Sequence, residues 1–362
     1  MDHRLKVIVV GCGNMGSAHA RAYRAEPGFE LVGLVDTFPE ARGKLATELG
    51  GVAQYDDLER ALAGAAPDCV AICTYPDTHA ELTLKAFAAG CHVFVEKPVA
   101  TPVAEAKAVV DAARQAGRKL VVGYILRHHP SWIRFIELAR TLGKPLVMRM
   151  NLNQQSSGPA WATHKNLMRS MSPIVDCGVH YVDVMCLMTG SAPVRVGAIG
   201  ARLTEDIPPG MYSYGQLQVA FEDGSVGWYE AGWGPMMSET AFFVKDVIGP
   251  RGSVSITEAA PGVGKGSADT GSHVKAESLL LHHAALDEHG AFTRTDEIIE
   301  LEDEPDHLEL CAREQRYFRR AIVEDLDLAS HLADAVNSLR IVLAADESVR
   351  TKRTVELPSS GR

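Results

Sequence analysis

The chain has 362 residues, a length that fits two domains, and its 46% hydrophobic and 23% charged residues exclude a wholly disordered protein. Its 36 Lys and Arg residues are outnumbered by 46 Asp and Glu residues, and the net charge of -10 argues against a nucleic-acid partner or an anionic membrane surface. The first apolar run, residues 7–10, is too short for a secretion signal or a membrane helix, so we expect a cytoplasmic protein.

The first third of the chain alternates short β-branched runs with segments of helical period. Strands are predicted over residues 5–10, 29–36, 52–55, 68–74, 92–95 and 119–124, with helices such as 14–25 and 78–89 between them. This alternation is typical of a parallel sheet with crossover helices. We therefore predict an α/β fold whose N-terminal domain, residues 1–125, is a Rossmann dinucleotide-binding domain.

Beyond residue 125 the predicted strands are longer and short polar turns join them. Predicted helices cover 131–142, 172–188, 307–323 and 328–349, and predicted strands cover 145–155, 194–203, 212–221, 225–233 and 242–248. A loop is expected between 155 and 172, and the Gly- and Ser-rich residues 261–272 predict an exposed flexible loop. The three-residue connection at 222–224 is typical of a hairpin. These features predict a C-terminal α+β domain, residues 126–362, with a large, mostly antiparallel open sheet.

A glycine-rich turn separates the first predicted strand from the first predicted helix. It reads Gly11-Cys12-Gly13-Asn14-Met15-Gly16, the G-x-G-x-x-G pattern in the strand–turn–helix context that gives it meaning. Glycines there allow a tight turn, the approach of a pyrophosphate and close packing of the helix, whose N-terminus faces the anion. We predict that Gly11, Gly13, Asn14, Met15 and Gly16 bind a dinucleotide; the alternative is a purely structural turn.

Asp36 lies at the end of the second predicted strand, twenty residues after Gly16. A carboxylate there accepts hydrogen bonds from both adenosine ribose hydroxyls and repels a 2′-phosphate. NAD is therefore predicted as the cofactor, with NADP disfavoured, although Arg42 in the next helix would soften that choice. A capping aspartate is the alternative interpretation.

Three further motifs combine with this turn. Cys73-Thr74-Tyr75-Pro76-Asp77-Thr78-His79 ends the fourth predicted strand, Glu96-Lys97-Pro98 ends the fifth, and Asp176-x-x-x-His180 lies in the second domain. Ligands of open α/β sheets bind at the carboxyl ends of the strands, so charged residues there suggest a site. In the predicted helix 172–188, Asp176, His180 and Asp183 share one stripe. His180 is either part of a site or a core histidine satisfied by Asp183, and Asp183 would orient its ring in both cases.

Together these motifs resemble the Gfo/Idh/MocA oxidoreductases over nearly the whole chain. The resemblance implies NAD(H)-dependent hydride transfer at an alcohol or ketone carbon of a sugar or cyclitol, as in inositol dehydrogenases. It implies cofactor contacts from Thr74, Tyr75, Pro76, His79, Glu96 and Lys97, and catalysis by Lys97, Asp176 and His180. His180 would accept the hydroxyl proton while Lys97 stabilises the developing alkoxide, or these two residues exchange roles.

The resemblance also implies substrate contacts from residues of both domains. They are Lys97, Tyr124, Arg127, Gln155, Trp161, His164, Asp176 and His180, of which Trp161 offers an apolar face to sugar C–H groups. We expect a homodimer or homotetramer formed through the C-terminal sheet. The seven cysteines form no C-x-x-C pair, so reduced core thiols and no bound metal are expected.

Two other functions are compatible with the same motifs. One is a lyase or glycosidase that retains NAD and oxidises a sugar only transiently. The other is a non-catalytic dinucleotide-binding regulator, although such a protein has no need of Lys97, Asp176 and His180.

Overall fold

The computed structural model describes residues 4–238, 244–257, 267 and 276–358. The strands in this part of the chain are β1 Leu5–Val10, β2 Phe29–Val35, β3 Gln54–Tyr55, β4 Cys69–Ile72, β5 His92–Val95, β6 Leu120–Val122, β7 Val147–Gln155, β8 Pro193–Ala201, β9 Tyr214–Phe221, β10 Val226–Gly234, β11 Lys245–Gly249, β12 Gly252–Thr257, β13 Ser278–His283, β14 Glu297–Glu300 and β15 Val355–Glu356.

The α-helices of the described residues are α1 Asn14–Ala25, α2 Pro39–Glu48, α3 Leu58–Ala65, α4 His79–Ala88, α5 Val103–Ala116, α6 Pro130–Thr141, α7 Gly158–Leu167, α8 Pro173–Asp176, α9 Gly178–Thr189, α10 His307–Val323 and α11 Ala329–Thr351. Short 3-10 helices cover Pro76–Thr78 and Ile125–His128. None of the described helices is both long and apolar enough to cross a lipid bilayer.

The chain divides into two compact units. The first comprises Met1–His128 and Pro305–Val336, and the second His129–Glu304 and Asn337–Arg362. The division predicted from the sequence, 1–125 and 126–362, differs from this one because residues 305–336 belong with the first unit. Helix α10 explains the difference: it packs on α1 through a stripe of buried side chains that includes Leu310, Cys311 and Phe318.

The first unit confirms the predicted Rossmann fold. Its six parallel strands lie in the order β3-β2-β1-β4-β5-β6, which reverses direction between β1 and β4. Strands β4 and β6 are buried along their whole length, as expected for strands covered on both faces. The carboxyl ends of β1 and β4 thus form the edge at which such sheets bind nucleotides.

The second unit confirms the mostly antiparallel sheet. Within the described residues nine strands lie in the order β14-β13-β12-β11-β7-β10-β9-β8-β15, and only β7 and β10 pair in parallel. Strands β12, β13, β14 and β15 were not predicted. Two of them are short edge strands whose residues are half exposed, so they lack the apolar run that marks a buried strand. The predicted loop at 261–272 lies outside the described residues, apart from Ser267.

Two predictions in the second unit, one of a loop and one of a single helix, are wrong. Helix α7 occupies part of the predicted loop between 155 and 172; because His164 is its only buried residue, the segment has no apolar periodicity to reveal it. The predicted helix 172–188 is two helices, α8 and α9, which meet at Cys177. At that junction Gly178 packs so closely on Tyr229 that an added Cβ would lie 2.9 Å from the Tyr229 ring.

Candidate active site

The glycine turn is built from three glycines with three different surroundings. Gly11 has a φ of +92°, and a Cβ there would lie 2.6 Å from the Cys73 carbonyl oxygen. A Cβ on Gly16 would lie 1.7 Å from the Gly11 carbonyl oxygen, so α1 can pack on the turn only through a glycine. A Cβ on Gly13 would meet no atom within 4 Å. Gly11 and Gly16 are therefore required by packing, whereas Gly13 borders open space.

That open space lies at the N-terminus of α1. No side chain caps this helix, its first turn carries no acidic residue, and both Gly13 and Asn14 are exposed. Uncapped amide groups and the positive end of a helix dipole attract a phosphate group. The geometry of this end of α1 fits the pyrophosphate of a dinucleotide.

Asp36 is held beside the turn by two backbone amides. Its Oδ2 accepts from the Cys12 N–H at 2.6 Å and its Oδ1 from the Phe38 N–H at 2.8 Å. Each carboxylate oxygen has a second lone pair, so the side chain can still accept hydrogen bonds from ribose hydroxyls. Arg42, which would soften the preference for NAD, donates to the Asp36 backbone carbonyl oxygen.

The loop after β4 contains both accessible and buried residues among those predicted to bind the cofactor. Tyr75 is 58% exposed, and Thr74 and Pro76 are partly exposed. His79 is fully buried, with Nδ1 2.8 Å from the Pro98 carbonyl oxygen and Nε2 3.0 Å from the Thr74 carbonyl oxygen. Burial lowers the pKa of His79. This placement favours a role in joining the loops after β4 and β5 over the direct cofactor contact that was predicted.

Lys97 is the accessible residue of the loop after β5. From Val93 to Ala100 all side chains except that of Lys97 are buried, including Glu96 at 6% exposure. The Lys97 backbone N–H donates to Glu96 Oε2 at 3.2 Å. Glu96 therefore lies behind the loop and Lys97 at its surface, so Glu96 is placed to support the loop rather than to contact a cofactor.

The same contrast marks the candidate catalytic residues of the second unit. From Met171 to Cys186 every residue is buried except Asp176 and His180. They lie on either side of the junction between α8 and α9, and Asp183 is buried one turn later at 1% exposure. The helix break that was not predicted thus leaves both polar side chains accessible. The proposed orienting role of Asp183 stays a prediction.

A buried network anchors the start of α8. Ser172 caps this helix by accepting from the Val175 N–H, and its hydroxyl donates to Asp346 Oδ1 at 2.7 Å. The Tyr212 hydroxyl lies 2.9 Å from Ser172 Oγ and donates to the same carboxylate of Asp346. Burial raises the pKa of Asp346. Burial also raises the pKa of Tyr212 well above its ordinary value, and the negative charge of Asp346 adds to this effect. Tyr212 and Asp346 were not predicted as partners of Ser172 because they lie far from it in the chain.

A short series of contacts connects His164 to Asp176. Its ring stacks on Trp233 at 4.5 Å, and Trp233 Nε1–H donates to Gln154 Oε1 at 2.7 Å. That same oxygen lies 3.7 Å from Cys177 Sγ, which also lies 3.5 Å from Asp176 Oδ2. Burial lowers the pKa of His164 to about 4, so the ring is neutral at physiological pH. The roles of Trp233 and Gln154 in holding His164 were not predicted.

The remaining predicted substrate residues differ in exposure. Trp161 is partly exposed beneath the Lys165 ammonium, which lies 5.5 Å from the indole ring. Gln155 is exposed and its amide donates to the Met237 carbonyl oxygen. In the first unit Tyr124 is buried and Arg127 pairs with Asp334 at 2.9 Å. The placement of Tyr124 and Arg127 favours a packing role over contact with a substrate.

All seven cysteines are buried and free of disulfides, which confirms the prediction of core thiols. Cys69, Cys186 and Cys311 lie in strands or helices, and the other four lie in the segments that connect such elements.

Comparison with known proteins gives two matching family models. Residues 5–124 match the GFO_IDH_MocA model, described as an oxidoreductase family with an NAD-binding Rossmann fold, and residues 137–255 match the GFO/IDH/MocA C-terminal domain. The scyllo-inositol 2-dehydrogenase (NAD(+)) of Bacillus subtilis (strain 168) is 29% identical over 71% of this chain and 75% of its own length.

Two further similarities are more limited. The D-glucoside 3-dehydrogenase of Escherichia coli (strain K12) is 29% identical over 53% of this chain, and the match spans only 56% of that protein. The solved structure of scyllo-inositol dehydrogenase from Lactobacillus casei with bound NAD(H) and scyllo-inositol has a TM-score of 0.76 at 20% identity, covering 98% of this chain and 99% of that one. This second similarity concerns the fold.

Proposed function

Because the chain belongs to the Gfo/Idh/MocA family and its first unit is an NAD-binding Rossmann domain, we propose that it transfers hydride between NAD(H) and an alcohol or ketone carbon of a sugar, sugar derivative or cyclitol. One observation carries the proposal. Lys97, Asp176 and His180 are the accessible members of two otherwise buried runs of the chain. Polar side chains exposed from such apolar segments are more useful to a bound ligand than to the folded state.

The cofactor is held by the first unit. The amides at the N-terminus of α1 bind the pyrophosphate, and the Asp36 carboxylate binds the adenosine ribose and disfavours a 2′-phosphate. When bound, NAD(H) supplies the hydride acceptor or donor.

The three accessible residues divide the remaining work on the substrate. In the oxidation direction His180 accepts the proton of the reacting hydroxyl, and the Lys97 ammonium stabilises the negative charge that grows on the oxygen. Asp176 accepts hydrogen bonds from the reacting or adjacent hydroxyl. Lys97 and His180 exchange these roles if the lysine carries the lower pKa.

The second unit supplies surfaces suited to a polyol. Trp161 offers an aromatic face to C–H groups, and the neutral ring of His164 can exchange hydrogen bonds with a hydroxyl. The dehydrogenases named above act on an inositol and a glucoside, both rings with several secondary hydroxyls. These features favour a cyclic polyol over a linear 2-hydroxy acid.

We also propose that two or four copies associate through the sheet of the second unit. Val226, Val147 and Ile248 lie side by side across β10, β7 and β11, and each is 40% exposed or slightly more. An apolar row of this kind on an open sheet is stabilised by a second copy. Sedimentation equilibrium of the full chain tests this point, and a monomer at micromolar concentration contradicts it.

The experiment for the catalytic proposal follows NADH absorbance while the protein is offered NAD or NADP with inositols, aldoses and glucosides. We expect NADH to accumulate with at least one cyclic polyol, and Lys97→Ala to lower kcat by about a thousandfold or more because charge stabilisation at the oxygen is lost. Lys107→Ala is the matched control, since Lys107 is exposed on α5 of the same unit.

Other outcomes identify the alternatives. Turnover of a glycoside without net NADH indicates a lyase or glycosidase that retains NAD. Bound NAD without turnover of any compound, in a protein indifferent to Lys97→Ala, indicates a dinucleotide-binding regulator and contradicts the dehydrogenase proposal.

A further inference from the structure

A buried polar cluster lies in the first unit behind Lys97. It consists of His19 on α1, Glu96 after β5, and Cys311, Glu314 and Gln315 on α10. His19, Cys311 and Gln315 are fully buried, and Glu314 is 1% exposed. Burying so many polar groups costs free energy unless they hydrogen-bond to one another, so their arrangement calls for a physical reason.

Hydrogen bonds join α10 to the backbone of Lys97 in three steps. The Gln315 amide nitrogen lies 2.7 Å from His19 Nδ1, and His19 Nε2 lies 2.7 Å from Glu96 Oε1. The other oxygen of Glu96 accepts the Lys97 backbone N–H at 3.2 Å. Because an amide nitrogen can only donate, Gln315 donates to Nδ1, and the N–H on Nε2 donates to the Glu96 carboxylate.

The surroundings of this series are apolar. The His19 ring lies 4.8 Å from the Phe94 ring, which in turn lies 6.2 Å from Phe318. Glu96 Oε1 is also close to the residue that follows β6, since a Cβ on Gly123 would lie 3.2 Å from it. A hydrogen bond to a carboxylate is strong in such a dry environment, and the loss of its donor is correspondingly costly.

Glu314 is the second carboxyl group of the cluster. Burial raises its pKa well above the ordinary range, and the negative charge of Glu96 raises it further. Its Oε1 has no hydrogen-bond partner among the described residues. A neutral, protonated Glu314 is consistent with this setting.

The hydrogen bonds of this cluster leave no ligand atom of His19 available for a metal ion. The ligand atoms of His19, Cys311 and Glu314 lie within 4.8 Å of one another, all of them buried. Both ring nitrogens of His19, however, are already hydrogen-bonded to Glu96 and Gln315. No lone pair of the ring is left for a metal unless those hydrogen bonds break.

We propose that His19 and Gln315 are positioning residues that hold the Glu96 carboxylate, and through it the loop that presents Lys97. The C-terminal part of the chain thereby contributes, through α10, to the geometry of a residue more than 200 positions earlier. The inference rests on the proposed function for its effect on turnover, but not for its effect on Lys97 itself.

The test compares His19→Leu, which removes the donor to Glu96, with His19→Gln, which retains an amide donor. We expect His19→Leu to lower kcat about tenfold to a hundredfold while the KM for NAD changes less than about threefold, since misplacement of a catalytic group mainly affects the chemical step. His19→Gln and Glu314→Gln should stay within about threefold of the wild type, the latter because it keeps a neutral side chain of the same shape.

A second measurement reads Lys97 without turnover. Amines of the folded protein are labelled with pyridoxal phosphate and borohydride over a pH series, and peptide mass spectrometry compares Lys97 with the exposed Lys107 of the same molecules. We expect His19→Leu and Gln315→Leu to change the labelling profile of Lys97 and to leave that of Lys107 unchanged. A titration with NAD verifies that each variant is folded.

The outcomes separate the two proposals. A folded His19→Leu variant with wild-type kcat and wild-type labelling of Lys97 overturns the positioning role, as does a His19→Gln variant that is as impaired as His19→Leu. If the wild-type protein oxidises no polyol, the proposed function fails, whereas the labelling profiles still decide the role of His19 and Gln315.

Discussion

The glycine turn of the first unit and the segment around Asp176 and His180 in the second unit are both candidate sites at helix ends, but their supports differ. The closest packing of the turn lies within its own six residues, where Gly16 packs on the Gly11 carbonyl group, and Cys73 and Asp36 add contacts from the first 75 residues of the chain. The second segment depends on Ser172, Tyr212 and Asp346, the first and last of which are 174 positions apart in the chain. A site with local supports is recognisable from its motif, whereas the support of the other site appears only after folding.

The largest expected effect tests the local site with two substitutions of the same kind. Gly16→Ala places a Cβ 1.7 Å from a backbone oxygen, and we expect it to destabilise the protein by about 4 kcal/mol and to abolish NAD binding. Gly13→Ala meets no atom, and its stability should change by less than about 0.5 kcal/mol, while the affinity for NAD falls roughly tenfold because the methyl group occupies space needed by the pyrophosphate.

Chemical denaturation and titration with NAD measure the two quantities separately. If both variants lose stability equally, close packing is not what distinguishes the two glycines. If Gly13→Ala binds NAD as well as the wild type, the pyrophosphate does not approach the turn at that position.

An intermediate effect is expected at the support of the second site. Asp346→Ala removes the carboxylate that accepts from both Ser172 and Tyr212 and leaves these two buried hydroxyls one acceptor short, so we expect a loss of stability of about 3 kcal/mol. It should also lower kcat about tenfold or more through displacement of α8, with little change in the affinity for NAD, which the first unit binds. Tyr212→Phe, which removes one hydroxyl, should cost about 1 kcal/mol.

Steady-state kinetics and urea unfolding of these two variants measure the effect. A folded Asp346→Ala variant with unchanged kcat would show that α8 is held by packing alone. That result would contradict the claim that distant residues support the segment around Asp176 and His180.

The smallest expected effect is the pH dependence of stability contributed by His164. Its pKa is lowered by burial from 6.5 to about 4, so the unfolded chain binds a proton there at a pH at which the folded protein does not. The stability contributed by the neutral ring is therefore complete above pH 6.5 and is lost as the pH falls toward 4, by roughly 2 kcal/mol between pH 6.5 and 5.

His164→Asn isolates this contribution because asparagine does not titrate. We expect its Tm to fall less steeply than that of the wild type between pH 6.5 and 5. Above pH 7 the Tm of the two proteins should have the same dependence on pH. Parallel Tm profiles of the two proteins would mean that His164 stays protonatable in the folded state.

Several elements of the fold were predictable from sequence alone for physical reasons. Strands β1 and β5 and helices α1 and α10 begin and end where the sequence predicts, because each combines an apolar pattern with a clear boundary such as the Gly11 turn or the Asp306 cap. Helix α7 and the break at Cys177 escaped prediction. The first has only one buried residue, and the second depends on the contact of Gly178 with Tyr229, a residue 51 positions later.

The candidate site shows the same division. Local sequence determined the glycine turn, the carboxylate at the end of β2, and the identity of Lys97, Asp176 and His180, since these features depend on neighbours in the chain and on the known carboxyl edge of a parallel sheet. Only the tertiary structure decided which polar residues are accessible and which are buried as supports. In the folded chain, His79 and Glu96 are buried behind their loops. Four residues that were not predicted support the site through hydrogen bonds: His19, Gln315, Tyr212 and Asp346. The reason is that burial and hydrogen bonding between distant segments are set by packing.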